Sequence, residues 1–142
     1  MKYDDATWHT AGNFPSELPP EAGATHTGMF LAWALLSGLA GDLHIKDLPQ
    51  NIPLLQSRQV TPGEFFLTAC DGKFVDEDLN AEGNSFAALY FDLQRGSYIH
   101  DYEKILAKGL PGAYHVPDTW ESFDKLKPYL DKRLNQFRTM PT

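Results

Sequence analysis

The most regular pattern of apolar positions lies between residues 120 and 137, where apolar side chains recur every three or four residues. This spacing places them on one face of an α-helix. The opposite face carries the ion-pair spacings Glu121–Lys125 and Lys127–Asp131, and Pro128 inside the segment predicts a kink. We therefore expect an amphipathic C-terminal helix. Its apolar positions are Trp120, Phe123, Leu126, Leu130, Leu134 and Phe137.

Residues 24–40 are different, because apolar side chains occupy almost every side of the segment. A helix that is apolar all round is buried in the centre of a domain. The segment is too short to cross a bilayer, since it ends at Gly38 and Gly41. The pattern predicts a central helix and no membrane association.

Two helix starts carry capping patterns. Thr61 can cap a helix that begins at Pro62, and Glu64 has the spacing of its partner in a capping box. We expect this helix to reach Cys70. Asp118 and Glu121 form a similar pair before the C-terminal helix.

Weaker periodic patterns predict three more helices, at about residues 52–57, 80–94 and 98–106. Residues 73–75 are expected to be extended and to pair with residues 113–116 in a very short two-stranded ribbon.

The stretch 1–22 contains Pro15, Pro19 and Pro20, which resist helical conformation. We expect it to be an extended segment packed on the rest. The predicted fold is mainly α, a single compact bundle of five or six helices over residues 1–142.

Composition supports a globular domain, with 42% hydrophobic and 22% charged residues. The formal net charge is −7, and residues 1–100 hold 13 Asp and Glu against 5 Lys and Arg. Such an excess of acid disfavours nucleic-acid binding and favours a basic partner. One cysteine and an N-terminus without a signal pattern are typical of a cytoplasmic protein.

Acidic residues are concentrated in the stretch 71–82, and a second acidic and aromatic group lies near the N-terminus. Carboxylates with interspersed aromatic side chains are suited to docking on a basic protein surface. The alternative is a solvated turn between two helices. The candidate partner-binding residues are Asp4, Asp5, Trp8, Asp71, Asp76, Glu77, Asp78 and Glu82.

The chain contains no strong catalytic or metal-binding motif. Its five histidines include no pair at the i, i+4 spacing of a helical zinc site, and its serines and glycines match no hydrolase or phosphate-binding pattern. Cys70 is expected to be structural, and the stretch from Asp78 matches only the first half of a calcium loop. A site assembled in space remains open, with His9, His26, His100, Asp101 and His115 as its residues.

Several strings resemble an uncharacterised bacterial family, a domain of unknown function. They are Tyr3-Asp4-Asp5-Ala6-x-Trp8-His9, Glu21-Ala22-Gly23-Ala24-Thr25-His26-x-Gly28-Met29-Phe30, Asp76-Glu77-Asp78-Leu79-Asn80 and Tyr114-His115-Val116-Pro117-Asp118-Thr119-Trp120. The resemblance spans nearly the whole chain and implies no reaction. Small acidic proteins of this kind are similar in character to the immunity proteins of toxin systems.

These observations lead to three hypotheses. The first is a binding protein without catalytic residues or cofactor, of the immunity or adaptor type, that sequesters a basic partner such as a toxin. The second is an enzyme with a spatially assembled site of histidine and aspartate, with or without a metal. The third is a structural subunit of an assembly.

Overall fold

Helix α2, at Thr25–Leu36, runs through the centre of the molecule, and every residue from Thr25 to Leu35 is buried. The computed structural model describes residues 1–141. The predicted central helix is confirmed, although it ends earlier than expected. The chain turns at Gly38, whose φ of 82° favours glycine, and the amide of Leu39 bonds back to the carbonyl of Ala34 at 3.0 Å.

The described residues are mainly helical, with one small ribbon, as predicted. Within residues 1–141, no helix combines the length and apolar character needed to cross a bilayer. The other α-helices are α1 (Ala6–Thr10), α3 (Asn51–Gln56), α4 (Pro62–Ala69), α5 (Ala81–Tyr90), α6 (Tyr98–Leu106) and α7 (Trp120–Arg138). Short 3₁₀ turns lie at Pro20–Ala24, Asp76–Asp78 and Ala113–His115, and a π-helical turn at Leu43–Asp47.

The ribbon has a different partner from the predicted one. Strand β1 (Lys2–Asp5) pairs antiparallel with β2 (Lys73–Val75), so that Asp4 lies opposite Phe74. Residues 113–116 were the wrong partner, because they close a 3₁₀ turn through their own i to i+3 hydrogen bonds. The N-terminal segment is therefore not extended throughout, since β1 leads directly into α1.

The capping box of α4 is confirmed. Thr61 Oγ1 accepts the amide of Glu64 at 3.2 Å, and the Glu64 carboxylate accepts the amide of Thr61 at 3.3 Å. The predicted cap of α7 is wrong by one residue, because Thr119 caps that helix. Asp118 instead accepts the amide of Gly63 at 2.8 Å and so ties the start of α4 to the segment before α7.

Helix α7 packs its apolar stripe against the core, with Phe123, Leu126, Leu130 and Leu134 buried. The expected surface ion pairs are present, at 3.6 Å for Glu121–Lys125 and 2.8 Å for Lys127–Asp131. The helix continues through Pro128 as one element.

Helix α5 is shorter than the periodic pattern indicated. It ends at Tyr90 because the Asp92 side chain accepts the amides of Gln94 and Arg95, at 2.8 and 2.9 Å, and closes a turn there.

Candidate metal centre

Three side chains from three different elements meet inside the N-terminal half of the fold. Asp4 comes from β1, His9 from α1 and His26 from the first turn of α2. His9 Nε2 lies 2.8 and 2.9 Å from the two carboxylate oxygens of Asp4 and 3.2 Å from His26 Nε2. His26 Nε2 lies 3.6 Å from Asp4 Oδ2. Asp4 and His26 are buried, whereas His9 is partly exposed.

The local sequence explains this convergence. Asp5 caps α1 by accepting the amide of Thr7 at 3.0 Å, so the chain turns at once from β1 into α1 and brings His9 back to Asp4. Gly23 lets the turn before α2 approach α1 closely, because a Cβ there would lie 3.5 Å from His9 Cβ and 3.3 Å from Thr10 Cγ2.

Neighbouring groups hold each of the three side chains in place. The Thr27 hydroxyl donates a hydrogen bond to Asp4, and Tyr114 Oη lies 2.7 Å from His9 Nδ1. Tyr98 donates to the backbone carbonyl of His26 at 2.5 Å, which fixes the start of α2 against α6. Among residues 1–141, the buried Nδ1 of His26 has no hydrogen-bond partner.

The environment sets the charge of these groups. Burial alone would raise the pKa of Asp4, but its polar contacts with His26, His9 and Thr27 lower that pKa well below the ordinary value. Burial lowers the pKa of His26, and the attraction of Asp4 offsets only part of this effect. At neutral pH the site therefore presents a carboxylate beside the neutral imidazole of His26.

This arrangement has the chemistry and spacing of a metal site. Ligand atoms bound tetrahedrally to one zinc ion at about 2.0–2.1 Å lie about 3.3 Å apart. The three edges of the triangle formed by Asp4 Oδ2, His9 Nε2 and His26 Nε2, at 2.9, 3.2 and 3.6 Å, bracket that value. Tyr114 is placed to accept the Nδ1 proton of His9, the type of outer contact that orients a metal-ligating histidine.

The triangle borders a cavity of about 600 Å³. His9 and His26 form part of its wall, together with Tyr114 and His115. His115 Nε2 lies 3.1 Å from the carboxylate of Glu17, and its buried Nδ1 has no hydrogen-bond partner among residues 1–141. A small molecule that enters this cavity therefore lies beside His9 and His26.

Residues 2–116 match the family described as a domain of unknown function, DUF7832. The chain belongs to this family. The matched DUF7832 region ends before α7 and contains the whole triangle together with Tyr114 and His115. Comparison with curated proteins and with solved structures gave no match.

The DUF7832 fold brings together only part of the site that the sequence suggested. His9, His26 and His115 line one cavity. His100 is exposed on α6, and Asp101 is buried elsewhere, where Arg133 donates to it at 2.8 Å. Asp4 was considered only for partner binding. No sequence signal marks it as a ligand, because it lies five residues from His9 and both residues meet His26 only through the tertiary fold.

Most of the carboxylates considered for partner binding contact groups of the same chain. Asp5 and Asp78 are buried, and bind Lys2 at 2.8 Å and His44 at 2.7 Å. The remaining pairs are Asp71–Lys73 at 2.9 Å, Asp76 with the N-terminal amine at 3.2 Å, and Glu82–Arg138 at 2.8 Å. Trp8 and Glu77 are exposed.

Proposed function

We propose that this protein is a metal-dependent hydrolase in which Asp4, His9 and His26 bind one divalent transition-metal ion, with Zn²⁺ the best match to the ligand set. The observation that supports the proposal is the convergence of two imidazole nitrogens and one carboxylate, with both imidazoles in the wall of a cavity of about 600 Å³. Three protein ligands leave one coordination position for water, as in catalytic zinc sites.

The chemistry follows from that open position. A bound Zn²⁺ would lower the pKa of its water to about 7 and so supply, once that water has lost its proton, an oxygen nucleophile for an electrophilic centre of the substrate. His115 on the cavity wall is the group proposed to take up this proton, with Glu17 orienting its ring. The substrate bond breaks as the new bond to oxygen forms, and His115 returns the proton to the leaving group.

Metal binding by matched variants tests the proposal. We expect the chelator-treated protein to bind Zn²⁺ and Co²⁺ in calorimetric titrations, made in a Cys70→Ser background so that the single thiol of the chain does not contribute. His26→Ala and Asp4→Asn remove a direct ligand, and each should weaken binding by more than the ~10–100-fold typical of outer contacts. His100→Ala is the matched control, because His100 is exposed and lies away from the triangle.

Equal affinity in His26→Ala, Asp4→Asn and the unaltered protein would refute the metal site. Hydrolysis is tested separately by screening ester, amide and phosphoester substrates. His115→Gln should lower the rate without lowering metal affinity. If the metal binds but no substrate class is hydrolysed, the hydrolase assignment is wrong and the metal site stands.

A second candidate function is docking of a basic partner protein, which one surface supports. Trp8 is 51% exposed, and the side chain of Asp71 is 89% exposed. The amide of Ala6, two residues before Trp8, bonds to the carbonyl of Gly72, the residue after Asp71, at 2.8 Å. Trp8→Ala combined with Asp71→Lys should slow association with a co-purifying basic protein, and an unchanged association rate would rule out this surface.

A further inference from the structure

We infer that a second metal site is formed by His44, Cys70 and Asp78, and that it binds a thiophilic divalent ion such as Zn²⁺. One ligand atom from each of the three side chains lies within 4.8 Å of the others. His44 and Asp78 are buried, and Cys70 is partly exposed. The site shares no residue with the Asp4, His9 and His26 triangle, so the two proposals stand independently.

The backbone explains why these residues meet. His44 lies in the π-helical turn Leu43–Asp47, a local geometry that often occurs at functional sites. Two hydrogen bonds join the segment before this turn to the segment after Asp78, from Gly41 to the Asp78 carbonyl at 3.0 Å and from Asn80 to the Leu39 carbonyl at 2.8 Å. Cys70, the residue that caps the C-terminal end of α4, is the third member of the group.

Hydrogen bonds with neighbouring groups already hold the proposed ligand side chains in place. Asn51 contacts His44 Nδ1 at 3.0 Å, and the amide of Val75 donates to Asp78 Oδ2 at 2.9 Å. These contacts leave His44 Nε2 and Asp78 Oδ1, which lie 2.7 Å apart, directed at each other. With an ion on Nε2, rotation of the Asn51 amide by half a turn presents its oxygen to the Nδ1 proton.

The thiol determines which ion is bound. A Zn²⁺ ion held here would bind the Cys70 sulfur as a thiolate, because a coordinating thiol is deprotonated outright. Thiolate ligation selects Zn²⁺ over Mg²⁺ or Ca²⁺.

An acidic depression is lined by residues next to the proposed ligands in the sequence. It has a volume of about 440 Å³ and includes Asp42, Asp47 and Glu77 in its lining. Residues next to His44 and Asp78 in sequence, Leu43 and Leu79, form part of the same wall. Carboxylates grouped in this way raise the local concentration of divalent cations.

Cobalt spectroscopy distinguishes the two metal sites, because only thiolate ligation produces a strong near-ultraviolet charge-transfer band. We expect Co²⁺ to produce this band in the full chain and Zn²⁺ to quench it. Cys70→Ser and His44→Gln should remove the band, whereas His26→Ala should keep it. Circular dichroism and thermal unfolding of each variant will test whether the fold is retained.

Two outcomes would overturn the inference. One is the absence of the band in the folded, unaltered protein at saturating Co²⁺. The other is its persistence in Cys70→Ser. A second readout uses the fact that Cys70 is the single cysteine. Zn²⁺ should slow its alkylation by a maleimide at least tenfold, in the unaltered protein and in His26→Ala alike, and an unchanged rate in both would also refute the site.

Discussion

At the scale of single residues, Asp4 illustrates how the fold tolerates a buried charge. An isolated carboxylate in an apolar interior is costly, so it persists only with hydrogen bonds or an opposite charge. His9 and Thr27 supply hydrogen bonds, and a metal ion would supply the charge. The same contacts that lower the pKa of Asp4 keep it available as an anionic ligand.

Removal of the Thr27 hydroxyl tests this interpretation directly. Thr27→Val keeps the shape of the side chain but removes the donor to Asp4, and hydrogen bonds to charged groups contribute about 1.5–3 kcal/mol. We expect the free energy of unfolding in urea to fall by about that amount and the metal affinity to fall ~10–100-fold.

Thr68→Val is the matched control for this change. The Thr68 hydroxyl donates to the Glu64 carbonyl at 2.7 Å, but the residue is exposed. Its substitution should alter stability by less than about 0.5 kcal/mol. Equal effects of the two substitutions would mean that the Thr27 contact with Asp4 has no special weight.

Asp101 is another buried carboxylate with defined partners. Arg133 binds it through two nitrogens at 2.8 and 3.1 Å, and Tyr90 donates to it at 2.7 Å. We expect Asp101→Asn to destabilise the protein by about 2 kcal/mol at pH 7. This is below the ~3–5 kcal/mol of a broken buried pair, because solvent reaches Arg133 and screens the interaction.

The pH dependence of this variant follows from the pKa of Asp101. Burial alone would raise that pKa, but Arg133 and Tyr90 lower it below the ordinary value. The stabilisation is thus present above the unfolded pKa of about 3.9 and is lost as the pH falls through the lowered folded pKa. Asp101→Asn should flatten the acid limb of a stability curve. Asp124→Asn, which breaks the exposed pair with Arg58 at 2.7 Å, should cost under about 1 kcal/mol.

At the scale of elements, α2 and α4 pack closely near the candidate metal centre. A Cβ on Gly28 would lie 2.5 Å from the carbonyl oxygen of Pro62, and backbone atoms cannot move away cheaply. Glycine is therefore required at this crossing even though it disfavours helix formation. The crossing also fixes the first turn of α2, which carries His26.

Gly28→Ala tests the crossing. The gain in helix propensity, about 1 kcal/mol at most, should be exceeded by overpacking of about 1–3 kcal/mol or more. We expect a lower melting temperature and weaker metal binding, because separating α2 from α4 displaces His26. Gly12→Ala is the control, since a Cβ there meets nothing within 4 Å. A stable Gly28→Ala protein with normal metal affinity would contradict this account.

Elements that depend on neighbours in sequence could be predicted, whereas their partners could not. The capping box at Thr61 and the stripe of α7 are local patterns, and both are confirmed. The strand at 73–75 was also predicted, but its observed partner is residues 2–5, which lie far from it in the sequence. Asp118 departs from its local pattern because Gly63, distant in sequence, offers it an amide.

At the scale of the whole molecule, the candidate metal centre depends on contacts that no spacing rule describes. Its cavity joins residues near positions 9, 26 and 115, which the fold brings together. His100 was a reasonable candidate, but Tyr98 and Tyr102 face the core at helical spacing and leave His100 on the exposed side of α6. The histidines could therefore be named as candidate ligands from the sequence, whereas Asp4 could be recognised as one only from the fold.

Metal binding at two sites should be measurable as global stability, because a ligand that binds only the folded chain stabilises it by mass action. At a free Zn²⁺ concentration of 100 times the dissociation constant, one site contributes about 2.7 kcal/mol, or roughly 8 °C in melting temperature for a domain of this size. We expect Zn²⁺ to raise the melting temperature at pH 7.5 and a chelator to reverse the increase.

Acidification should remove this increase, because protons compete with the metal for imidazole nitrogens. Burial lowers the pKa of His26, so we expect its contribution to persist below pH 6.5, the ordinary histidine value, and to disappear as the pH falls further. His26→Ala and Cys70→Ser should each retain part of the Zn²⁺ effect, and the double variant should retain none. If the double variant keeps the full Zn²⁺ effect, the ion binds outside both proposed sites and both assignments are wrong.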